Sequence, residues 1–196
     1  MAKRGTYAKG VARREEILNT ALTVIARNGY SKATLKQIAE AVGLSQMGLL
    51  HYFDTKEELF TQVLRRRDQL DTANFSLGKG GLISRGESST LHALVKHNSM
   101  VPGLVQLYSR LSIEASEPSH PAHEYFRERI ANLRVSFAKE IAAAQESGEV
   151  PADLDPENVA ITLISLLDGL QIAWLYDSSI NMAEHVDLLM DRLLRR

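Results

Sequence analysis

Ser45-Gln46-Met47-Gly48-Leu49-Leu50-His51-Tyr52-Phe53 is the stretch around which this 196-residue chain is arranged, and it is punctuated on both sides. Upstream, Thr34-Leu35-Lys36-Gln37 has the spacing of a capping box and opens a short helix with Leu35, Ile38, Ala39 and Val42 on its inward face. Gly43 supplies a tight turn, and Ser45 caps the helix that follows. Downstream, Asp54 closes that helix, and Thr55-Lys56-Glu57-Glu58 is a second capping box that launches a longer helix through Leu59, Phe60, Val63 and Leu64. Two short helices joined in this way have helix-turn-helix spacing, with 45–53 as the helix presented to a DNA major groove.

Composition narrows the remainder. A hydrophobic content of 44% over this length supports a sizeable core and excludes global disorder. There is no cysteine, which removes disulfides, thiolate zinc sites and thiol nucleophiles together and fits a reducing cytoplasm. The start of the chain has no apolar run resembling a signal peptide. Charge is segregated: residues 1–67 carry 12 Lys/Arg against 6 Asp/Glu, whereas residues 68–196 carry 11 against 18. The first lobe should attract polyanions and the second should not.

Working outward, residues 1–10 combine Lys3, Arg4 and Lys9 with two glycines and no apolar periodicity, which predicts a mobile basic arm. From Val11 to Asn28, Ile17, Leu18, Ala21, Leu22 and Ile25 recur at helical spacing, and Gly29 stops the helix. The helix from Lys56 is expected to run to about Thr72, with Arg65-Arg66-Arg67 as a solvated face, and the Gly/Ser-rich 74–87 stretch reads as a flexible connector. Ser88 or Ser89 caps the next helix, and Pro102 starts another. Past Pro118-Ser119-His120-Pro121, a long amphipathic helix runs through Phe126, Ile130, Leu133, Phe137 and Ile141 to Gly148. Asp155-Pro156-Glu157 opens the most apolar helix, to Tyr176; Asp168, Gln171, Thr162 and Ser165 within it argue against a membrane span. A helix apolar nearly all round needs cover from its own domain on one face and a partner on the other. Asn181 caps the last helix. With no strand pattern, the fold is expected to be all-α: a three-helix reading domain (1–67) joined by a long fourth helix to a helical ligand-binding and dimerisation domain (68–196), about nine helices in all.

The segment from Ile17 to Leu64 resembles the N-terminal domain of the TetR family of bacterial transcriptional regulators. The resemblance rests on Ile17-Leu18-x-x-Ala21-Leu22, Asn28-Gly29-Tyr30, Thr34-Leu35-x-x-Ile38-Ala39-x-x-Val42-Gly43-Leu44-Ser45 and Tyr52-Phe53-x-x-Lys56-Glu57-Glu58-Leu59. The family pattern has Thr where this chain has Gly48 and Tyr where it has Leu50, so one hydroxyl contact to phosphate is expected to be missing at each. The second half is similar more loosely, through Gly148-Glu149-Val150 and Asp168-Gly169-Leu170-Gln171. The resemblance implies a homodimeric repressor of a palindromic double-stranded operator, released by a small organic inducer, with no cofactor and no enzymatic activity.

Gln46, Met47 and His51 are the candidates for reading bases: Gln46 can pair bidentately with adenine, Met47 can touch a thymine methyl, and His51 can reach a base or a phosphate. Thr34, Ser45, Tyr52 and Lys56 match family positions on the phosphate backbone, and Gly48 lies among them. His97, Asn98, Tyr108, Phe126, Phe137, Gln171 and Trp174 are the polar and aromatic candidates for an inducer pocket, and Leu163, Leu167, Leu170, Trp174, Leu189 and Leu193 those for a dimer seam. Rival functions are a DNA-binding regulator that needs no ligand or metal, a metal site at His120-x-x-His123-Glu124, and a small-molecule enzyme. No glycine-rich phosphate loop or paired-carboxylate motif supports the last.

Overall fold

The computed structural model describes residues 2–30, 33–75, 81–82 and 89–193; the side chains of residues 2–7 and 193 lie outside that description. Among the described residues the chain is all helix: α1 Ala2–Asn28, α2 Leu35–Ala41, α3 Gln46–Leu50, α4 Lys56–Phe75, α5 Thr90–Ser99, α6 Pro102–Glu114, α7 His123–Glu146, α8 Pro156–Tyr176 and α9 Met182–Leu193. The caps fall where their chemistry requires. Thr34 and Gln37 form the reciprocal box at α2, Ser45 accepts from the Gly48 N–H at α3, Ser89 caps α5, and Asp155 with Pro156 opens α8.

Three expectations change. The 1–10 arm is helical from Ala2, continuing α1 to 27 residues: no proline interrupts it, and the Ala, Lys and Arg around Gly5 and Gly10 favour helix. The 45–53 helix is shorter, ending at Leu50, because its last turn tightens to a Tyr52 N–H to Leu49 carbonyl bond while the Tyr52 carbonyl is taken by Arg14. Helix α4 runs on to Phe75. The 74–87 connector falls mostly outside the described residues. Within it, however, Leu82 is buried in a core and its N–H donates to Glu140.

Two apolar cores hold these helices. The first joins Ile17, Ala21 and Ile25 of α1, Ile38 of α2, Leu49, Phe53 and the Leu59–Leu64 face of α4, and continues into Leu104, Leu107 and Leu111 of α6 and Tyr125 and Phe126 of α7. The second joins Leu91 and Val95 of α5, Phe137 and Ile141 of α7, Leu163 and Leu167 of α8 and Val186 and Met190 of α9. Helix α4 enters the first core through Leu59 to Leu64 and, further along, packs against α5 and lines the cavity through Arg67, Asp68 and Asp71. Helix α6 meets α1 backbone to backbone at Gly103, where a Cβ would lie 2.1 Å from the Ile25 carbonyl oxygen and 2.8 Å from the Gly29 Cα. Gly43, at φ +68°, makes the turn between α2 and α3.

Candidate nucleic-acid interface and ligand cavity

The end of the molecule bearing α2 and α3 is held rigid by two arginines of α1. Arg14 places its guanidinium 4.2 Å over the Phe53 ring, pairs with Glu58 at 2.8 Å and donates to the Tyr52 carbonyl; Arg13 donates to the Val42 carbonyl at the end of α2. Phe53 is fully buried beneath them. Glu58 also accepts from the Asp54 N–H, and Thr55 from the Glu58 N–H, so the second capping box closes one residue earlier than its spacing suggests. Neither arginine stood out in the sequence. The signal for them was basic residues placed one turn before the apolar stripe that begins at Ile17.

On this frame Gln46, Met47, His51 and Lys56 are exposed, Met47 by 83%. Thr34 and Ser45 are exposed too but spend their hydroxyls on caps. Tyr52 is half-buried with its ring 5.9 Å from that of His51. Gly48 contributes only backbone, its N–H donating to Ser45, and Leu50 is half-buried. Leu49 and Phe53 are core, so the outward side of α3 carries polar and flexible side chains over a fixed base.

At the other end of α4, a cavity of about 370 Å³ lies among α4, α5, α6, α7 and α8. Asn98, Tyr108, Phe137 and Gln171 of the expected lining meet there. His97, Phe126 and Trp174 do not: His97 lies 5.5 Å from the Phe75 ring, Phe126 packs against Tyr108 and Tyr125 in the first core, and Trp174 is buried in the second. The sequence reading missed the charged lining. Tyr125 donates to Asp68 at 2.7 Å; Arg129 donates to both Asp68 oxygens at 3.1 Å and to the Tyr108 hydroxyl at 3.1 Å; Tyr108 in turn donates to Asp168 at 3.1 Å. Arg67 is buried rather than solvated, donating to Asn98 at 2.6 Å and to the Leu104 carbonyl at 3.3 Å, with its Nε lacking a hydrogen bond 3.5 Å from Asp71. Burial pushes the Asp71 and Asp168 carboxyls above the usual carboxylate range, opposed by Arg67 for Asp71 and by Arg129 for Asp168. Burial lowers the Arg67 guanidinium, opposed by Asp71. The readable signal was spacing: Arg67 and Asp71 continue the Phe60, Val63, Leu64 stripe of α4, so charge sits where the helix faces inward.

The dimer candidates sort differently from expectation. Leu163, Leu167 and Trp174 are buried in the chain's own core, Leu167 lining the cavity, because α7 lies along that side of α8. Leu170 and Leu189 are half-buried against the same core, and the Leu193 side chain lies outside the described residues. The uncovered face of α8 is Ile161, Ser165, Gly169, Ile172 and Tyr176, with Leu188 exposed on α9. The histidines have structural partners: His123 Nδ1 lies 2.9 Å from the Ala115 carbonyl, His120 accepts from the Ala122 N–H, and His92 pairs with Asp187. Among the described residues, no three His, Asp or Glu side chains gather as a metal site would require. Helix α8 has the length and hydropathy of a membrane span, yet Asp168 at its middle points into the cavity's hydrogen-bond chain.

Comparisons with known proteins agree with this architecture. Residues 17–63 match the model of the bacterial regulatory proteins of the tetR family, and residues 114–196 match the C-terminal domain of BetI-type transcriptional repressors. The transcriptional repressor KstR2 of Rhodococcus jostii is 31% identical over 150 residues, covering 74% of this chain and 71% of that protein. A probable repressor of the acrEF/envCD operon of Escherichia coli is 24% identical across 100% of this chain and 90% of its own length. Among solved structures, a TetR-family regulator from Rhodococcus superposes with a TM-score of 0.72 at 24% identity over 93% of this chain and 98% of that one. A regulator from Saccharomonospora viridis in complex with choline superposes at 0.66, with 24% identity over 91% and 93% of the two chains. The chain therefore belongs to the TetR family and is a DNA-binding transcriptional regulator.

Proposed function

We propose that this regulator is a homodimeric repressor, acting in the cytoplasm and without enzymatic activity, that binds a palindromic operator and leaves it when a small organic cation occupies the cavity. On this reading residues 1–67 form the reading head and residues 68–196 the ligand-binding and dimerisation part. The observation that supports it most is the placement of an exposed reading face at one end of α4 and a polar, aromatic-walled cavity at the other. A ligand with different affinities for two positions of α4 would then change operator affinity. The cavity favours this over a regulator that needs no ligand.

Charge chooses the ligand class. Asp68, Asp71 and Asp168 face Arg67 and Arg129, while Arg65 and Glu128 at the rim offset each other at 3.4 Å. One carboxylate is in excess. Among the described residues Asp168 accepts from Tyr108 alone, and of the aromatic rings lining the cavity Tyr108 and Tyr125 already stack a guanidinium, Arg129 at 4.8 Å and Arg65 at 5.0 Å, so these walls are of a kind that holds cations. That the Saccharomonospora regulator holds choline supports the same class. The exposed α8 face, spaced by four, four, three and four residues, supports a two-helix contribution to a dimer seam, in which Gly169 leaves room for close approach.

Selection of bound fragments from a random duplex pool tests the regulator: a palindrome with half-sites about one helical turn apart is expected, and enrichment of single half-sites would sink the dimeric reading. Calorimetric titration with choline and with its uncharged carbon isostere tests the ligand class. Tighter binding of the isostere would refute a cation site.

A further inference from the structure

We infer that Arg110, on the cavity-forming helix α6, is a phosphate contact that the regulatory half of the chain lends to the DNA interface; this rests on the proposed operator binding. A second hollow, of about 390 Å³, lies on the α2 side of the molecule and is lined by Thr34, Lys36, Gln46, Lys56 and Arg110 around Tyr30. Gln46 is the reading residue and Thr34 and Lys56 are backbone candidates, so the hollow belongs to the same surface. Among the described residues, three cations line it and no carboxylate does.

Ring stacking places two of these cations. The Arg110 guanidinium lies 5.5 Å from the Tyr30 ring centroid, Tyr30 meets Phe60 edge-on at 5.5 Å, and the Lys56 ammonium lies 5.3 Å from the Phe60 ring. The result is a row, cation to ring to ring to cation, running from α6 to the start of α4. Among the described residues Arg110 is held by one nitrogen: Nε donates to Glu114 at 2.8 Å, leaving both terminal nitrogens to an outside acceptor. Its side chain is 62% exposed. Lys36 reaches Glu40 only at 3.9 Å and is 76% exposed. Two parallel N–H groups on a planar cation match the oxygens of a phosphodiester, and two ammonium groups line the same hollow to take up charge further along the strand. The phosphodiester belongs to the duplex read by Gln46, because that side chain borders the same hollow.

The test is duplex binding measured against salt for the full chain and its variants. Arg110→Gln should weaken specific and random duplexes alike and reduce the slope of log affinity on log salt by about 0.9 per protomer, one counterion release lost at one phosphate. Arg110→Lys should keep most of that slope, and Glu114→Gln should leave it unchanged. An unaltered slope in Arg110→Gln overturns the inference, as does an equal loss in Arg110→Lys, which would mark a packing role. Saturable binding of inorganic phosphate to the wild type but not to Arg110→Gln would reassign the hollow to a free anion and also overturn it. If the wild type itself shows no salt-dependent duplex binding, operator binding fails and not merely this contact.

Discussion

Gln46 and Lys56 stand near each other on one surface and should fail differently. Gln46→Ala removes a base contact and should relax preference at one base pair per half-site by about 1–3 kcal/mol. Lys56→Ala should weaken all sequences alike, as competition with random DNA would show. In the cavity, burial raises Asp168, and that fixes a pH dependence. A permanent cation favours the ionised carboxylate, so binding releases a proton while Asp168 is still partly protonated. Affinity should therefore fall as pH drops through the raised value and plateau above it, and Asp168→Asn should flatten the profile in titrations across that range. Residues of this kind were unequally legible. Gln46 and Met47 were readable because a capped helix shows its outward positions, whereas Arg67 read as part of a solvated face, and its register, shared with Asp71, continues the inward stripe of Phe60, Val63 and Leu64.

Caps and prolines declare helix starts locally, so α2, α3, α4, α5, α6, α8 and α9 begin where the chain alone puts them, whereas the start of α1 and the ends of α3 and α4 carry no such mark and moved. What a helix turns toward its neighbours is not local. Helix α8 is apolar on most sides, and its spacing does not say which stripe α7 covers; hence Leu163 and Leu167, expected at a seam, are core, and Ile161, Ile172 and Tyr176 remain open. Ile172→Asp should consequently dissociate the proposed dimer with helix content intact, by sedimentation and circular dichroism. Leu167→Asp should instead unfold the second core, since it places an unpartnered charge among buried neighbours. A folded Ile172→Asp variant that still sediments as a dimer would put the seam elsewhere. At the reading end, Phe53→Ala should cost about 3–5 kcal/mol in thermal or denaturant unfolding, because it hollows the seat under Arg14.

For the whole molecule, the charge split between the two parts sets how it meets DNA. Affinity for duplex should fall steeply between low and physiological salt, and specific binding should lose more than nonspecific binding when the proposed dimer is broken, because the second half-site goes with it. Fluorescence anisotropy on operator and random duplex checks both, and a flat salt dependence would contradict the interface. The first core also runs from α1 through α6 into α7, so reading end and cavity share one packed body. Nothing in the sequence announced this, since Leu104, Leu107 and Leu111 are ordinary apolar positions whose partners lie far away along the chain.

The contact at Gly103 is a joint without play. A Cβ there would fall short of ordinary contact with the Ile25 carbonyl by more than an ångström, so α6 already rests on α1 with nothing compressible between them. Five residues further along the same rigid rod stands Tyr108, in the cavity's hydrogen-bond chain. Under the proposed regulation, motion imposed at Tyr108 would be delivered to the end of α1 without backlash, and a jolt at the reading end would return by the same route. Gly103→Ala would act as a permanent wedge in this joint: the Ile25 and Gly29 backbone must give way, and a lower melting temperature together with a changed duplex affinity is the expected outcome.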